Sequence, residues 1–320
     1  MRRGSSVVWA TIAAIASGAL VSTQTSVNGH VSVEVDSPIL ATAINHGTAL
    51  VLALIVATAT GAFPRARRTL IARRADIRWW WFLGGLMGFV AVFGLILATP
   101  EIGVVTVAVA VTLGQLIGSV IADSAGLGPG GRRSLNVLRV VGIVVAVLGI
   151  TAGSIGRFDP GNLALIPVVV VAGVIVAIQQ AANGWLVVVT GEYSVMSVIN
   201  FSISGVAVGT ALLVTNAIDP IDFGATPWWA PIGGAAGVVV GVVIALTVRT
   251  IGVLSSMLCV AAGQAISSIL FDLVIPVDRI GITAGSVIGA VLAVAAVALA
   301  GLGSVPPPRL AFLNPRKTPR

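Results

Sequence analysis

The sequence contains two related halves, and this duplication limits the folds open to the chain more than any other feature. Gln24 and Asn28 lie four residues apart in an apolar stretch, so both side chains fall on one face of a helix. The same pair recurs in the second half as Gln179 and Asn183. Further matched positions follow in the same order, namely Ile44-Asn45 with Ile199-Asn200, Trp79-Trp80 with Trp228-Trp229, Gly84 with Gly233, Gly103 with Gly252, and Gly114-Gln115 with Gly263-Gln264. Matched Trp, Gly, Gln and Asn positions in one order indicate an internal repeat.

The composition predicts an all-α integral membrane protein. Of the 320 residues, 57% are hydrophobic and only 9% are charged, and the mean hydropathy is +1.07. Soluble domains carry roughly 25% charged residues. The 38 glycines suit helices that pack closely in lipid, where small residues let backbones approach one another. The lipid bilayer is therefore the expected environment of this chain.

Apolar stretches of about 20 residues, the length needed to cross a bilayer, divide the chain into ten predicted transmembrane helices. The predicted spans are residues 7–29, 38–60, 79–98, 103–122 and 138–155 in the first half, and 163–189, 195–216, 228–247, 252–271 and 282–303 in the second. They form two five-helix repeats, 7–156 and 163–303, and the tail at 304–320 is predicted to be disordered. The tryptophan runs that open the third and eighth spans are typical of anchors at the membrane interface.

The basic residues predict the orientation, because cytoplasmic loops are enriched in Lys and Arg. With the N-terminus in the cytoplasm, every basic residue except Arg157 and Arg279 falls on the cytoplasmic side, and both termini lie there. Since each half has an odd number of spans, the second half enters the membrane in the opposite direction. The sequence thus predicts two inverted five-helix repeats, an arrangement that places the substrate site of secondary transporters near the midplane, between the repeats.

Six amide side chains inside the predicted spans are candidates for substrate binding. They are Gln24, Asn28, Gln179, Asn183, Gln115 and Gln264. The first four fall at equivalent depths on opposite sides of the midplane, as a site between inverted repeats requires. The last two lie beside glycines in mid-span, where each needs a partner or a polar cavity because lipid offers none. The alternative is that these amides form hydrogen bonds between helices and only hold the bundle together.

His46 and Asp272 are the candidates for a proton-linked role. His46 lies within its predicted span, and a histidine can change its charge near neutral pH. Its matched position in the second half is Phe201, so the histidine is not part of the repeated core. Asp272 closes the ninth span, where a carboxylate that marks the membrane boundary is the simpler interpretation.

Catalysis, metal binding and cofactor binding are not indicated by the sequence. It contains no spaced set of His and carboxylate residues, and the glycine-rich run at 126–131 lacks a phosphate-binding lysine. The single cysteine, Cys259, excludes a disulfide within the chain. The net charge of +7 comes from short loops between apolar spans, so no nucleic-acid partner is expected.

The repeated motifs resemble those of one transporter family. A Gln-x3-Asn-Gly first span, a Trp-Trp pair before the glycines of the third span, and a Gly-Gln followed by Asp in the fourth span all occur twice. They are similar to the YdcZ-type branch of the drug/metabolite transporter superfamily, and the resemblance covers residues 7–303. It implies ten helices in the bacterial inner membrane, both termini in the cytoplasm, and a central cavity lined by both halves. The small multidrug exporters of that superfamily carry a glutamate in the first helix, whereas this chain has no acidic residue before Val33, which disfavours a drug-cation/proton antiporter.

The sequence therefore predicts a secondary transporter and not an enzyme. Its expected activity is export of a small polar or amphipathic metabolite by alternating access of the two halves. The alternative is a non-transporting membrane scaffold or regulatory partner. Both a monomer and a homo-oligomer are compatible with the sequence.

Overall fold

A computed structural model of the protein is helical throughout the part of the chain that it describes, residues 2–129, 131–132, 137–154, 164–215, 226–251, 253–275 and 283–302. These residues contain no β-strand. The helices are α1 (Arg2–Glu34), α2 (Pro38–Ala59), α3 (Ala62–Ala72), α4 (Gly84–Ala125), α5 (Val137–Ser154), α6 (Leu165–Thr190), α7 (Tyr193–Val214), α8 (Pro231–Ile251), α9 (Val253–Val274) and α10 (Ala284–Leu302). Short 3-10 helices cover Arg74–Asp76 and Trp79–Leu83. The all-α class predicted from the composition agrees with this fold.

Five segments of the described chain are long and apolar enough to cross a membrane. They are Val8–Glu34, Pro38–Ala59, Trp79–Ala125, Leu165–Thr190 and Tyr193–Val214. Shorter apolar segments lie in α5, α8, α9 and α10, at Val140–Gly149, Pro231–Ile244, Cys259–Phe271 and Val287–Ala296. The predicted tail at 304–320 lies outside the described residues.

α4 joins the two predicted spans 79–98 and 103–122 in one segment that is interrupted at Gly103. Gly103 has φ 78° and ψ 158°, a conformation that only glycine adopts without strain. Pro100 lies one turn earlier and lacks the amide hydrogen that would continue the helix ladder. The sequence therefore places a backbone break where the second of the two spans should begin.

The packing of α4 on α6 shows that the chain reverses direction at this break. A β-carbon added at Gly84 would lie 2.8 Å from Asn183 Oδ1, and one added at Gly94 would lie 3.5 Å from Val168, so the first part of α4 runs antiparallel to α6. In the second part the direction is opposite. Gly114 contacts the backbone at 170–173, and an added β-carbon at Gly118 would lie 2.8 Å from Ala177. α4 is therefore a helical hairpin wrapped around α6.

The second half repeats this arrangement with α8 and α9 around α1. Gly233 lies against Asn28 and Gly237 against Gln24, so α8 runs antiparallel to α1. α9 runs parallel to α1, since its Gly263 lies against Ile15 and Ser267 Oγ donates to Ser22 Oγ further along. The first helix of each half is thus held by the other half: α6 packs between the two parts of α4, and α1 packs against α8 and α9. Two further helix pairs also join the two halves: α2 packs on α7, and α5 packs on α10.

Two glycine pairs let these helices cross with their backbones in contact. A β-carbon added at Gly114 would lie 2.8 Å from Gly173 Cα, and one added at Gly18 would lie 2.7 Å from the carbonyl carbon of Gly263. Both distances are too short for a side chain to fit without backbone movement. All four glycines are positions that the repeat matches, so the sequence duplication is expressed as duplicated helix crossings.

The tryptophans of the two runs differ in burial. Trp79 is 75% exposed, as an interfacial anchor should be, and Trp228 is also largely exposed. Trp81 instead is buried and stacks on Trp185 of α6, with ring centroids 5.1 Å apart. The interpretation of all three residues of the first run as anchors is therefore wrong for Trp81, whose ring is core.

α3 is a surface helix that the sequence did not predict, and it ties the first half to the second. Its buried face consists of Ala62 and Ala66, which pack with Ala57 of α2 and Val195 of α7. Arg65 Nε and Nη2 donate to the two carboxylate oxygens of Glu192, at 2.5 Å and 3.2 Å.

Glu192 immediately precedes α7, so its pair with Arg65 fixes α3 to the turn between α6 and α7. The hydrogen bond from Arg65 to this carboxylate holds the pKa of Arg65 above its ordinary value. Arg73 adds a hydrogen bond to the carbonyl oxygen of Val188, at 3.3 Å. The two arginines thus bind α3 at both of its ends.

We expect Glu192→Gln to loosen α3 without unfolding the protein, because the pair is partly exposed to solvent and a neutral amide cannot replace a bidentate ion pair. Amide hydrogen exchange at 62–72 should become faster while the thermal unfolding midpoint changes little. The exchanged pair Arg65→Glu with Glu192→Arg should restore protection. Unchanged exchange in Glu192→Gln would show that Ala62 and Ala66 hold α3 without the ion pair.

Candidate functional site

Three amides of the first half form one hydrogen-bonded group, here named the first amide cluster and consisting of Gln24, Asn28 and Asn45. Gln24 Nε2 and Asn28 Nδ2 both donate to Asn45 Oδ1, at 3.1 Å and 3.0 Å. Asn28 and Asn45 are 3% and 1% exposed, whereas Gln24 is only half-buried. The cluster joins α1 to α2 and leaves one amide, Gln24, in part accessible.

The matched residues of the second half form the second amide cluster, Gln179, Asn183 and Asn200. Asn200 Nδ2 donates to Asn183 Oδ1 at 2.6 Å. Gln179 Nε2 donates to the carbonyl oxygen of Gly84, at 2.8 Å. Both asparagines are buried and Gln179 is half-buried, so the burial pattern of the first cluster is repeated.

Each cluster lies against matched glycines at the start of a helix from the opposite half. A β-carbon added at Gly88 would lie 2.7 Å from Gln179 Nε2, and one added at Gly237 would lie 3.0 Å from Gln24 Nε2. Gly84 and Gly233 contact the asparagines of the two clusters in the same way. A side chain at these places would displace the amides, so the glycines and the amides form one structural unit in each half.

The two clusters differ in how their central asparagine is used. Asn45 Oδ1 accepts two hydrogen bonds, whereas the equivalent atom, Asn200 Oδ1, is buried and has no hydrogen-bond partner. A buried polar atom without a partner is costly and calls for an explanation. The second cluster therefore contains a buried acceptor without a partner, whereas in the first cluster the equivalent acceptor is used twice.

Gln115 and Gln264 lie apart from both clusters, at the two glycine crossings. The backbone nitrogen of Gln115 is next to Gly173, and that of Gln264 is next to Gly18. Gln264 is buried, and its carbonyl oxygen accepts a hydrogen bond of 2.9 Å from Ser22 Oγ. The structure thus groups the six amides into two clusters and two crossing positions.

His46 is buried in α2 and lies opposite its own matched position. Its Nδ1 is 3.0 Å from the carbonyl oxygen of Thr42, and its ring meets Phe201 edge to face with centroids 6.0 Å apart. Because a carbonyl oxygen can only accept, Nδ1 carries the hydrogen in the neutral ring and Nε2 is the nitrogen that can take up a proton. Equivalent positions of the two halves are therefore in contact at His46 and Phe201, and only the first half contributes an ionisable ring.

The side chain of Asp272, the other candidate for a proton-linked role, lies outside what the structure describes. Asn45 and Asn200, in contrast, are members of the amide clusters that sequence reasoning did not select. The sequence indicated them only as matched Ile-Asn pairs in the second helix of each half. These pairs are part of the repeat, but the sequence does not show which residue each asparagine would bond to. Only the fold shows that each bonds to the first helix.

The clusters offer neutral donors and acceptors to a ligand and no charged group. Among the described residues, no group of three or more His, Cys, Asp or Glu side chains could hold a metal ion. An apolar groove of about 300 Å³ lies elsewhere, between α4 and α6, where Val90, Val168 and Val171 line it. These side chains are exposed, so the groove faces the surroundings of the bundle and not the amide clusters.

Comparisons with known proteins agree with this architecture. A family model described as "Putative inner membrane exporter, YdcZ" matches residues 9–152 and 164–299. A solved structure described only as "Crystal structure of protein" is 16% identical, with a TM-score of 0.57 over 93% of this chain and 97% of that one. At this identity the likeness concerns the fold alone. No curated protein matches the chain.

Proposed function

Since the chain belongs to the YdcZ branch of the drug/metabolite transporter superfamily, we propose that it exports a small polar or amphipathic metabolite across the bacterial inner membrane by alternating access. The observation that carries this proposal is the pair of matched amide clusters, each lying on glycines of the opposite half. In secondary transporters the substrate site lies where two such repeats meet.

The proposed architecture is two inverted five-helix repeats, residues 7–156 and 163–303, that cross the membrane ten times. Helix directions support the inversion. Val31, near the end of α1, packs with Ile96, and Val169, near the start of α6, packs with Ala98. Because Ile96 and Ala98 lie close together in α4, the end of α1 and the start of α6 are on the same side of the bundle. α1 and α6 therefore run in opposite directions.

The distribution of arginines supports an orientation with both termini in the cytoplasm. α3 and the connection that follows it carry most of the arginines of the first half, at the end of α2 and the start of α4. Positive charge of this density is typical of the cytoplasmic side. The first amide cluster then lies in the outer half of the membrane, and the second lies in the inner half.

In the proposed mechanism, the two clusters open alternately. Both are closed onto their glycines in the structure, which leaves Gln24 and Gln179 as the accessible members. When one half moves away from the glycines of the other, its amides lose their packing and become free to bond to substrate. Asn200 Oδ1 has no hydrogen-bond partner, so no existing bond to this atom has to break when substrate binds. Neutral amides suit hydroxyl, amide or zwitterionic groups on a small metabolite.

A specific observation favours the alternative of a non-transporting scaffold or regulatory partner. Gln24, Asn28 and Asn45 already bond to one another between α1 and α2, as amides that only hold helices together would. The two functions differ in whether the protein moves a solute. Both are compatible with the same helical fold in a membrane.

Flux through reconstituted protein separates the two. Liposomes carrying the purified chain should release or take up at least one member of a labelled panel of amino acids, polyols and nucleosides faster than protein-free liposomes do. Flux of a panel member that depends on the protein supports transport. Protein that is folded in the liposomes and moves none of them would support the scaffold.

We expect His46 to couple transport to a proton gradient, because Nε2 is the basic nitrogen and its ring lies between the halves. His46→Phe, which copies the matched residue Phe201, should keep flux down a substrate gradient but lose its acceleration by an imposed pH difference. His30→Phe, a change at the other histidine of the chain, which lies in α1, should leave that acceleration intact. Equal acceleration in His46→Phe and the parent chain would exclude the proposed role.

A further inference from the structure

The surface of α3 and the connection after it combine exposed arginines with exposed apolar side chains. We propose that this surface, formed by Phe63, Arg67, Ile71, Arg74, Arg78 and Trp79 and named here the α3 arginine surface, binds the phosphate headgroups of anionic phospholipids. Its three arginines contact the phosphates, and its three apolar side chains enter the edge of the acyl-chain region.

Charge is the first argument. The segment from 62 to 83 contains six arginines and one aspartate. Arg65 is paired with Glu192, and Arg73 donates to a carbonyl oxygen of α6. The other four, Arg67, Arg68, Arg74 and Arg78, are exposed, and no carboxylate of the described residues pairs with them. Guanidinium groups bind phosphate through two parallel hydrogen bonds, so unpaired arginines in this number favour a phosphate ligand.

The apolar side chains show that the ligand is a lipid. Phe63, Arg67 and Ile71 follow each other at intervals of four residues and so lie on one face of α3. Phe63 is 38% exposed and Ile71 is 57% exposed, and Trp79, which opens the 3-10 helix before α4, is also exposed. An arginine between two exposed apolar side chains fits the boundary between headgroups and acyl chains, because the stem can lie in lipid while the charge stays at the phosphates.

The position of α3 brings this face to the depth of the headgroups. α3 begins three residues after α2 ends and precedes the start of α4, and both are segments that can cross the membrane. Ala62 and Ala66 hold its other face against the bundle, so Arg67 points away from the protein. The cytoplasmic location rests on the proposed function, whereas lipid binding itself depends only on charge and exposure.

The test uses the purified full chain in neutral detergent, with short-chain phosphatidylglycerol or phosphatidylcholine added in steps. Phosphatidylglycerol should raise the thermal unfolding midpoint in a saturable, salt-sensitive way, and phosphatidylcholine should not. Arg67→Gln with Arg74→Gln should weaken the apparent affinity for phosphatidylglycerol about thirtyfold, since each arginine near an anionic surface contributes roughly fivefold. Arg132→Gln removes an exposed arginine outside the surface and should leave the affinity unchanged.

Three results would overturn the proposal. Equal shifts with both lipids would show that the charge of the headgroup is not recognised. A full shift with inorganic phosphate alone would indicate a site for a soluble anion. An affinity loss in Arg132→Gln equal to that of the double variant would show general attraction by net charge. Because the readout is binding, a failure here leaves the transport proposal untouched, and absence of flux leaves this one untouched.

Discussion

Gly114→Ala is expected to lower the free energy of unfolding by about 1 to 3 kcal/mol, the usual cost of forcing a methyl group into a packed contact. The added β-carbon would overlap the carbonyl oxygen of Val170 and lie 2.8 Å from Gly173 Cα. Both are backbone atoms, so one helix must shift. Thermal or denaturant unfolding in detergent measures this change, and Gly263→Ala should behave alike because Gly263 lies against the backbone of Ile15.

Gly205 supplies the matched control. It lies in α7, and a β-carbon added there would meet nothing within 4 Å. Gly205→Ala should therefore be neutral or stabilise by about 0.5 to 1 kcal/mol, since alanine favours a helix over glycine. If Gly114→Ala and Gly205→Ala were equally stable, the close crossing of α4 and α6 would be incorrect.

Gln24→Leu and Gln179→Leu should each reduce protein-dependent flux at least tenfold, because these half-buried amides are the members of their clusters that can reach a substrate. Stability should fall by no more than about 0.6 to 2 kcal/mol, the worth of one hydrogen bond between membrane helices. Asn45→Leu should show the opposite balance, with the larger loss in stability, because Asn45 Oδ1 accepts two bonds. Flux into liposomes and thermal unfolding measure the two effects.

Thr23→Val is the control for these changes. Thr23 precedes Gln24 and donates to Ala19 of its own helix, so its hydroxyl does not join helices. Flux and stability should both stay close to those of the parent chain. Normal flux in Gln24→Leu together with a large loss of stability would assign the amide to helix packing.

Some features of the fold were predictable from the matched positions of the repeat and from the lengths of the apolar spans. Matched glycines such as Gly114 and Gly263 signalled equivalent structural roles, and the structure places both at helix crossings. The hairpin in α4 was also predictable, because the two spans were separated at Gly103, where the helix is broken. These features depend on local chemistry, namely the length of apolar runs and the freedom of glycine.

Features that depend on tertiary contacts could not be predicted in this way. α3 was missed because its buried face is only Ala62 and Ala66 in a stretch dominated by arginine, so no apolar periodicity marks it. Asn45 and Asn200 were not selected because one amide on a helix says nothing about which neighbour it meets. Trp81 was assigned to the interface with its neighbours, yet the turn of the 3-10 helix directs it onto Trp185.

Alternating access of the two amide clusters is the central claim, and thiol accessibility under two opposite locks tests it most directly. In a Cys259→Ser background, cysteines at Val31 and Ala230 can be cross-linked between the halves to lock the outer side, and cysteines at Ala66 and Val195 to lock the inner side. A reporter is then added as Gln24→Cys or Gln179→Cys. With the outer side locked, Gln179→Cys should react with a water-soluble thiol reagent and Gln24→Cys should not. With the inner side locked, the order should reverse. Equal reactivity of the two reporters under both locks would contradict alternating access.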